Sequence, residues 1–122
     1  MRTAIGTAII HDKRILLVKK KRYWILPGGK SNPNEFDIEC LCREVDEELS
    51  GIQLYNIRYY KDFGGRTPHI KDILRAKVYF ADIKEELCKL SAEIAASIWV
   101  SDPSGYNISE ITSKIIDSLI KD

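Results

Sequence analysis

The feature that most constrains this chain is a dense group of acidic residues in its first half. Glu44, Asp46, Glu47 and Glu48 place four carboxylates within five consecutive positions. Carboxylates so close together repel one another, and the repulsion opposes folding unless a positive charge compensates it. Because carboxylate oxygens are ligands that hard divalent cations prefer, a bound divalent cation is the simplest form of compensation.

The segment that contains these carboxylates has the pattern of an amphipathic helix. With about 3.6 residues per turn, Glu44, Glu47 and Glu48 lie on one face of such a helix. Apolar side chains form a second stripe, which consists of Ile38, Leu41, Cys42, Val45 and Leu49. We expect the helix to begin after Asn34, which can act as N-cap, and to end at Gly51. One face is therefore predicted to be buried and the other to be acidic.

The three cysteines, Cys40, Cys42 and Cys88, are an odd number without the paired spacing of a disulfide framework or a zinc site. Cys42 belongs to the apolar stripe, so we expect it to be a small core residue. Cys40 lies nearer the acidic face, where we expect it to be partly accessible to solvent.

The stretch from Gly29 to Gly51 resembles the Nudix box, in which a glycine, a glutamate, an Arg-Glu pair, an aliphatic residue and a Glu-Glu pair recur at fixed separations. The matching positions are Gly29, Glu35, Arg43, Glu44, Val45, Glu47 and Glu48. So many residues at fixed separations are a far more specific signal than a lone glycine motif. The stretch departs from the box at Ser50, where the family usually has glycine, and we expect the helix exit to shift by one residue.

The resemblance implies a metal site. In Nudix proteins the box glutamates bind divalent cations together with a backbone carbonyl, and the corresponding ligands here are Gly28, Glu44, Glu47 and Glu48. Oxygen ligands without a histidine or cysteine cluster favour Mg²⁺, with Mn²⁺ as a substitute.

Three further positions of the box are implied to support that site. In the family, the arginine and the first glutamate form a structural pair that ties the loop to the helix and orients the acidic face. The charges of Arg43 and Glu35 suit this role. Gly29 lacks a Cβ, so its backbone can come close to whatever binds there.

The resemblance also implies the catalytic residues. Glu44 and Glu47 are candidates within the box. Glu93 is a third candidate because it precedes Trp99 and Val100 in an arrangement similar to that of a family glutamate that helps the metals or acts as a general base. Whether the general base is a box glutamate or Glu93 is left open at this point.

The remaining pattern predicts a mixed architecture. Runs rich in β-branched and aromatic residues predict strands over Thr3–Ile10, Ile15–Val18, Gln53–Phe63, Ile70–Ile83 and Ser97–Ser101. Ser109–Leu119 has helical spacing, with Ser109 as a candidate N-cap. This order agrees with the fold that the resemblance implies: an α/β (α+β) Nudix fold with a mixed β-sheet sandwiched between α-helices.

A basic and aromatic segment precedes the box and is a candidate for substrate binding. Four cations run from Lys19 to Arg22 and are followed directly by Tyr23 and Trp24. Lys19 or Lys20 would meet phosphate oxygens, depending on which of them the strand turns inward. An aromatic ring would stack on a nucleobase, and strand alternation lets only one of the two rings face the cleft.

Length, composition and charge limit the domain number, the partners and the location that we expect for the protein. The 122 residues suit a single domain over positions 1–122, and the net charge of +1 gives no global field that would attract nucleic acid or an anionic membrane. The first residues lack the apolar run of a signal peptide, and no stretch has the roughly 18 apolar residues that span a bilayer. We therefore expect a cytoplasmic monomer or homodimer whose partner is a small-molecule nucleotide.

The function that these observations favour is metal-dependent hydrolysis of a diphosphate linkage in a nucleoside diphosphate joined to a further group. Our preferred substrate is a nucleoside triphosphate, cleaved to monophosphate and pyrophosphate. ADP-ribose, another nucleotide sugar or a dinucleoside polyphosphate is the alternative substrate. Two non-enzymatic alternatives are a nucleotide-sensing module on a Nudix-like fold and a structural protein whose helix is merely a solvated acidic face.

Overall fold

The computed structural model describes residues 2–49, 52–66, 73–84 and 97–121 of the chain. The strands are β1 (Arg2–Ala8), β2 (Ile10–His11), β3 (Arg14–Lys20), β4 (Tyr23–Ile25), β5 (Gly28–Gly29), β6 (Tyr55–Arg66), β7 (Ile73–Asp82) and β8 (Ser97–Val100). The helices are α1 (Asp37–Glu48) and α2 (Glu110–Lys121). No helix in these described ranges is long and apolar enough to cross a membrane.

The strands form two sheets. The first has the order β5-β1-β7-β6, in which β1 and β7 are parallel while the two outer pairs are antiparallel. The second is centred on β3, which pairs with β2 and β4 along one edge and with β8 along the other. The predicted class, α+β with a mixed sheet, is confirmed.

Helix α1 is fixed by its apolar side on both sheets. Cys40 and Leu41 pack with Ile5 of the first sheet. Val45 and Leu49 pack with a second cluster that includes Leu16 and Val18 of β3. Complete burial of one such aliphatic side chain contributes about 1.5–3 kcal/mol. Helix α2 packs on the other side of the structure through Ile111, Ile115 and Ile116.

The two helix starts give different outcomes. The predicted cap of α2 is confirmed, because Ser109 Oγ accepts a hydrogen bond from the backbone N–H of Thr112 at 3.4 Å. The predicted cap of α1 at Asn34 is wrong. A turn in which the N–H of Glu35 donates to the carbonyl of Asn32 at 3.0 Å precedes the helix, and α1 begins only at Asp37. The predicted stop at Gly51 lies outside the described residues.

The predicted environments of two cysteines are also wrong. Cys40 is completely buried, whereas Cys42 is exposed. The helix is rotated relative to the expected apolar stripe, so that Cys40 faces the sheet and Ile38 is 49% exposed. Burial raises the pKa of the Cys40 thiol to about 11. The rotation brings the acidic face of α1 towards the backbone of β5.

The difference between these cysteines predicts different reactivities. In a Cys88→Ser variant, which removes the third thiol, we expect an aromatic disulfide reagent to modify Cys42 rapidly in the folded protein at pH 8. Cys40 should react only after unfolding, because it is buried and because a thiol with a pKa near 11 is about 0.1% ionised at that pH. Two rapidly reacting thiols in the folded state would contradict the described orientation of α1.

Candidate functional site

Two consecutive glycines allow the backbone of β5 to lie between β1 and α1. Gly28 has a φ of 144°, and a Cβ at this position would collide with the carbonyl oxygen of Ile5. A Cβ on Gly29 would lie only 2.5 Å from the carboxylate carbon of Glu44. A side chain on Gly28 would therefore force β5 away from β1, and one on Gly29 would force β5 away from α1. The close approach leaves the Glu44 carboxylate directly beside the β5 backbone.

Arg43 connects the loop before α1 to the acidic face of the helix. Its Nε and Nη2 donate to the two carboxylate oxygens of Glu35 at 2.7 and 2.9 Å. Nη2 also donates to the carbonyl of Lys30 at 3.1 Å, and Nη1 donates to Glu44 Oε1 at 2.9 Å. The guanidinium beside Glu35 holds the pKa of that carboxyl at about 2, so the pair is fully ionised at neutral pH.

Glu48 lies at the other end of the acidic face. Its Oε1 accepts a hydrogen bond from the backbone N–H of Gly28 at 2.8 Å. Burial raises the pKa of this carboxyl to about 7, against the lowering effects of the Gly28 hydrogen bond and the Lys20 charge. The neighbouring carboxylates of Glu44 and Glu47 contribute to this rise in pKa. This is a carboxyl group that a nearby cation would stabilise in its charged form.

The three glutamates differ in how far they are already engaged. The side chain of Glu47 is 60% exposed and lies 3.6 Å from Arg43 Nη1, whereas that of Glu44 is 20% exposed and directly bonded to Arg43. Within the described ranges, no three His, Cys, Asp or Glu side chains are already arranged as a metal site. The donor chemistry nevertheless fits a hard divalent cation, because the donors are carboxylate oxygens.

The candidate substrate-binding residues divide between two faces of the second sheet. Lys20 pairs with Tyr23, and Lys19 pairs with Trp24. By strand alternation, Lys20 shares the face of Val18, which packs on α1, and its charge acts on Glu48. Lys20 and Tyr23 therefore lie on the side of the acidic helix, and Lys19 and Trp24 lie on the opposite side.

Trp24 connects β4 to the segment that precedes α2. Its backbone N–H donates to the carbonyl of Asn107 at 2.8 Å, and its carbonyl accepts from the N–H of Ser109 at 3.3 Å. Its ring meets that of Tyr106 edge to face at 6.3 Å, and Lys19 Nζ lies 5.8 Å from the ring centre. These contacts attach the segment before α2 to β4 and give Trp24 a structural role. They do not test a role in substrate binding, which stays a prediction.

Sequence reasoning missed a group of residues at the start of α1. The Tyr79 hydroxyl donates to Asp37 Oδ2 at 2.7 Å, and Lys77 Nζ lies 3.5 Å from the same oxygen. Tyr79 stands 42 positions after Asp37 in the chain. No periodicity or motif could have connected them. Glu93 and Ser50, in contrast, were predicted and lie outside the described residues.

Comparison with known families gives one assignment. Residues 1–102 match the family model described as NUDIX domain. A curated relative, cleavage and polyadenylation specificity factor subunit 5 of Dictyostelium discoideum, is 44% identical over 48 residues. That match covers 37% of this chain and only 24% of the relative.

Solved structures support the same fold. A MutT NUDIX hydrolase from Burkholderia pseudomallei is 29% identical, with a TM-score of 0.61 over 88% of this chain and 79% of that one. A nudix hydrolase family member from Chromobacterium violaceum is 21% identical, with a TM-score of 0.74 over 99% and 78% of the two chains. Shewanella oneidensis NrtR, solved with a 27mer DNA, is 16% identical, with a TM-score of 0.77 over 98% and 60%.

The ion pair of Arg43 with Glu35 predicts a pH-dependent contribution to stability. Because folding lowers the pKa of Glu35 from 4.5 to about 2, the contribution is complete above pH 4.5 and is lost as the pH falls towards 2. We expect Arg43→Ala to lower the free energy of unfolding at pH 7, with a deficit that shrinks between pH 5 and pH 2. Urea unfolding at several pH values measures this deficit.

Arg14→Ala is the matched control for that measurement. Arg14 is half exposed and lies 3.6 Å from an even more exposed Asp12, so its removal should change stability little at any pH. An Arg43→Ala deficit that is absent, or that does not depend on pH, would contradict the assignment of Glu35 as its partner.

Proposed function

Because the chain belongs to the NUDIX domain family, we propose that it is a hydrolase that cleaves a diphosphate linkage in a nucleotide, and that its substrate is a nucleoside triphosphate, converted to monophosphate and pyrophosphate. The observation that carries the proposal is the acidic face of α1 held against the glycine backbone of β5. It collects several carboxylates where a polyphosphate could approach over a backbone without side chains.

The proposed metal ligands are Glu44, Glu47, Glu48 and the carbonyl of Gly28, with Mg²⁺ as the cation and Mn²⁺ as its substitute. A cation held there neutralises phosphate oxygens and makes water more acidic. Glu44 can keep its Oε1 bond to Arg43 and offer Oε2 to the cation, whereas Glu47 is largely free to turn. Gly29, Glu35 and Arg43 support the site in this proposal by fixing the loop on the helix.

The protein's own groups would then bind the substrate and move the proton. Lys20 places a positive charge near Glu48, where it can bind phosphate oxygens that the acidic face would otherwise repel. Tyr23, its neighbour across the strand pair, is the proposed surface for base stacking. Glu47 and Glu44 are the proposed catalytic carboxylates, and Glu93 remains a third candidate for the general base.

Lys19 and Trp24 remain in the proposal as secondary contacts. They lie on the face of the second sheet opposite Lys20, so a substrate would reach them only by extending around the strand. Their packing on each other and on Tyr106 gives them a structural role that does not require a substrate.

The triphosphate is preferred because the connections between the described strands and helices offer few residues that could hold a second large group. The longest separation between neighbouring described strands or helices is the fourteen residues from 83 to 96, between β7 and β8. A triphosphate needs one base surface and one phosphate surface, whereas ADP-ribose or a dinucleoside polyphosphate presents a further sugar or nucleoside.

A nucleotide-sensing module without hydrolysis is the second candidate function. It is favoured by two of the similar proteins, since one is named as a cleavage and polyadenylation specificity factor subunit and another was solved in complex with DNA. The complete set of box carboxylates favours hydrolysis instead, because a sensor has no need to retain all of them.

The role of the carboxylates predicts the effect of neutralising them. Glu47→Gln and Glu48→Gln should each lower turnover by roughly 100-fold or more at limiting Mg²⁺ while the fold is retained. Asp46→Asn is the control, because Asp46 is an exposed carboxylate on the same helix to which we assign no ligand role. Phosphate or pyrophosphate release and circular dichroism measure the two properties. Full activity in either glutamine variant would show that the metal assignment is wrong.

A panel of nucleotides tests the substrate class. Canonical and oxidised nucleoside triphosphates, ADP-ribose, nucleotide sugars and dinucleoside polyphosphates are compared with Mg²⁺, and the products are identified. We expect the highest kcat/KM for a triphosphate, with release of pyrophosphate. An ADP-ribose value at least tenfold above every triphosphate, equivalent to about 1.4 kcal/mol at the transition state, would overturn the preference. Nucleotide binding without any turnover would favour the sensing module.

A further inference from the structure

The first residue of α1 is bonded to side chains of β7, an inner strand of the first sheet. Asp37 is the first residue of the helix, and its Oδ2 accepts the Tyr79 hydroxyl at 2.7 Å with Lys77 Nζ at 3.5 Å. Both partners lie on β7, which has neighbours on both sides in the sheet. Burial and the bond to Asp37 raise the pKa of Tyr79 to about 12, so the hydroxyl stays protonated and donates at neutral pH.

We propose that Tyr79 is a positioning residue for the Glu44 carboxylate, an inference that rests on the metal site of the proposed function. The connection has three steps. Tyr79 fixes Asp37, and Asp37 lies two residues after Glu35 in the same loop-to-helix junction. Glu35 holds Arg43 through two hydrogen bonds. Arg43 in turn donates to Glu44 at 2.9 Å.

The loop that carries Glu35 is restrained at its two ends. Its first end follows Gly29, which pairs with β1, and its second end is Asp37. Without the Tyr79 hydroxyl, the second end keeps the 3.5 Å contact with Lys77 and the favourable position of an acidic residue at a helix N-terminus, but it loses its 2.7 Å hydrogen bond to the sheet. Glu35 and Arg43 can then shift together with the helix start.

Small shifts matter at Glu44 because the space there is narrow. The clearance between its carboxylate and Gly29 would not admit even a Cβ atom. A displacement of about 1 Å is enough to impair a site that depends on several groups in register. Residues that orient a metal ligand without touching the metal commonly weaken metal binding by roughly 10–100-fold when they are removed.

Tyr59 provides a matched control on the same face of the sheet. Its hydroxyl donates to Asp62 Oδ1 at 2.6 Å, and its ring lies 5.5 Å from the ring of Tyr79. Asp62 also pairs with a cation, Arg75, at 2.9 Å. The two tyrosines thus make the same kind of bond, but Asp62 belongs to β6 and has no connection to α1 through the loop.

The experiment compares Tyr79→Phe with Tyr59→Phe in the full-length protein. Binding of Mn²⁺ alone is followed by the paramagnetic resonance signal of the free ion, without nucleotide, and thermal unfolding is recorded in parallel. We expect Tyr79→Phe to weaken Mn²⁺ binding by roughly tenfold and Tyr59→Phe to leave it within about twofold of the parent. Asp37→Ala, which removes the acceptor itself, should cause at least the same loss, and the double variant with Tyr79→Phe should be no weaker than Asp37→Ala alone.

Equal Mn²⁺ affinities in the two phenylalanine variants, or additive losses in the double variant, would overturn the positioning role while leaving the metal site intact. If Tyr79→Phe is too unstable to measure, Asp37→Ala carries the same comparison. A parent protein that binds no Mn²⁺ would overturn the metal site of the proposed function and this inference with it.

Discussion

The attachment of Arg43 to Glu35 and Glu44 is the interaction on which the arrangement of the acidic helix depends. One guanidinium bridges the loop, the helix and a backbone carbonyl, with donor distances between 2.7 and 3.1 Å. Charge-assisted bidentate hydrogen bonds of this kind fix the relative orientation of the two groups as well as their distance. The loop cannot move relative to the helix without breaking several of them at once.

The energetic balance explains how a helix with so many carboxylates folds. Repulsion between like charges three or four residues apart costs only about 0.2–0.5 kcal/mol per pair. Leu41, Val45 and Leu49 are completely buried on the opposite side, and each contributes about 1.5–3 kcal/mol. Apolar burial therefore exceeds the local repulsion, and the acidic face can be kept for chemistry.

The sequence was informative where the determining interactions are local. The shared face of Glu44, Glu47 and Glu48 follows from helical spacing alone, and the Ser109 cap follows from one side chain and the next turn. The rotation of α1 could not be predicted in this way. Which of Cys40 and Cys42 is buried depends on how the helix meets two sheets, and a turn at Asn32 delays the helix start beyond Asn34. The bond of Asp37 to Tyr79 is invisible in the sequence for the same reason.

The parallel pairing of β1 with β7 has a consequence for the order in which the molecule can assemble. The strand that holds the start of α1 ends at Asp82, more than thirty residues after the acidic helix is complete. Contacts this distant in the chain require a long loop to close, which costs conformational entropy before the contacts contribute. During synthesis the acidic helix therefore emerges well before its lateral support. It acquires that support only when the chain has returned across the sheet.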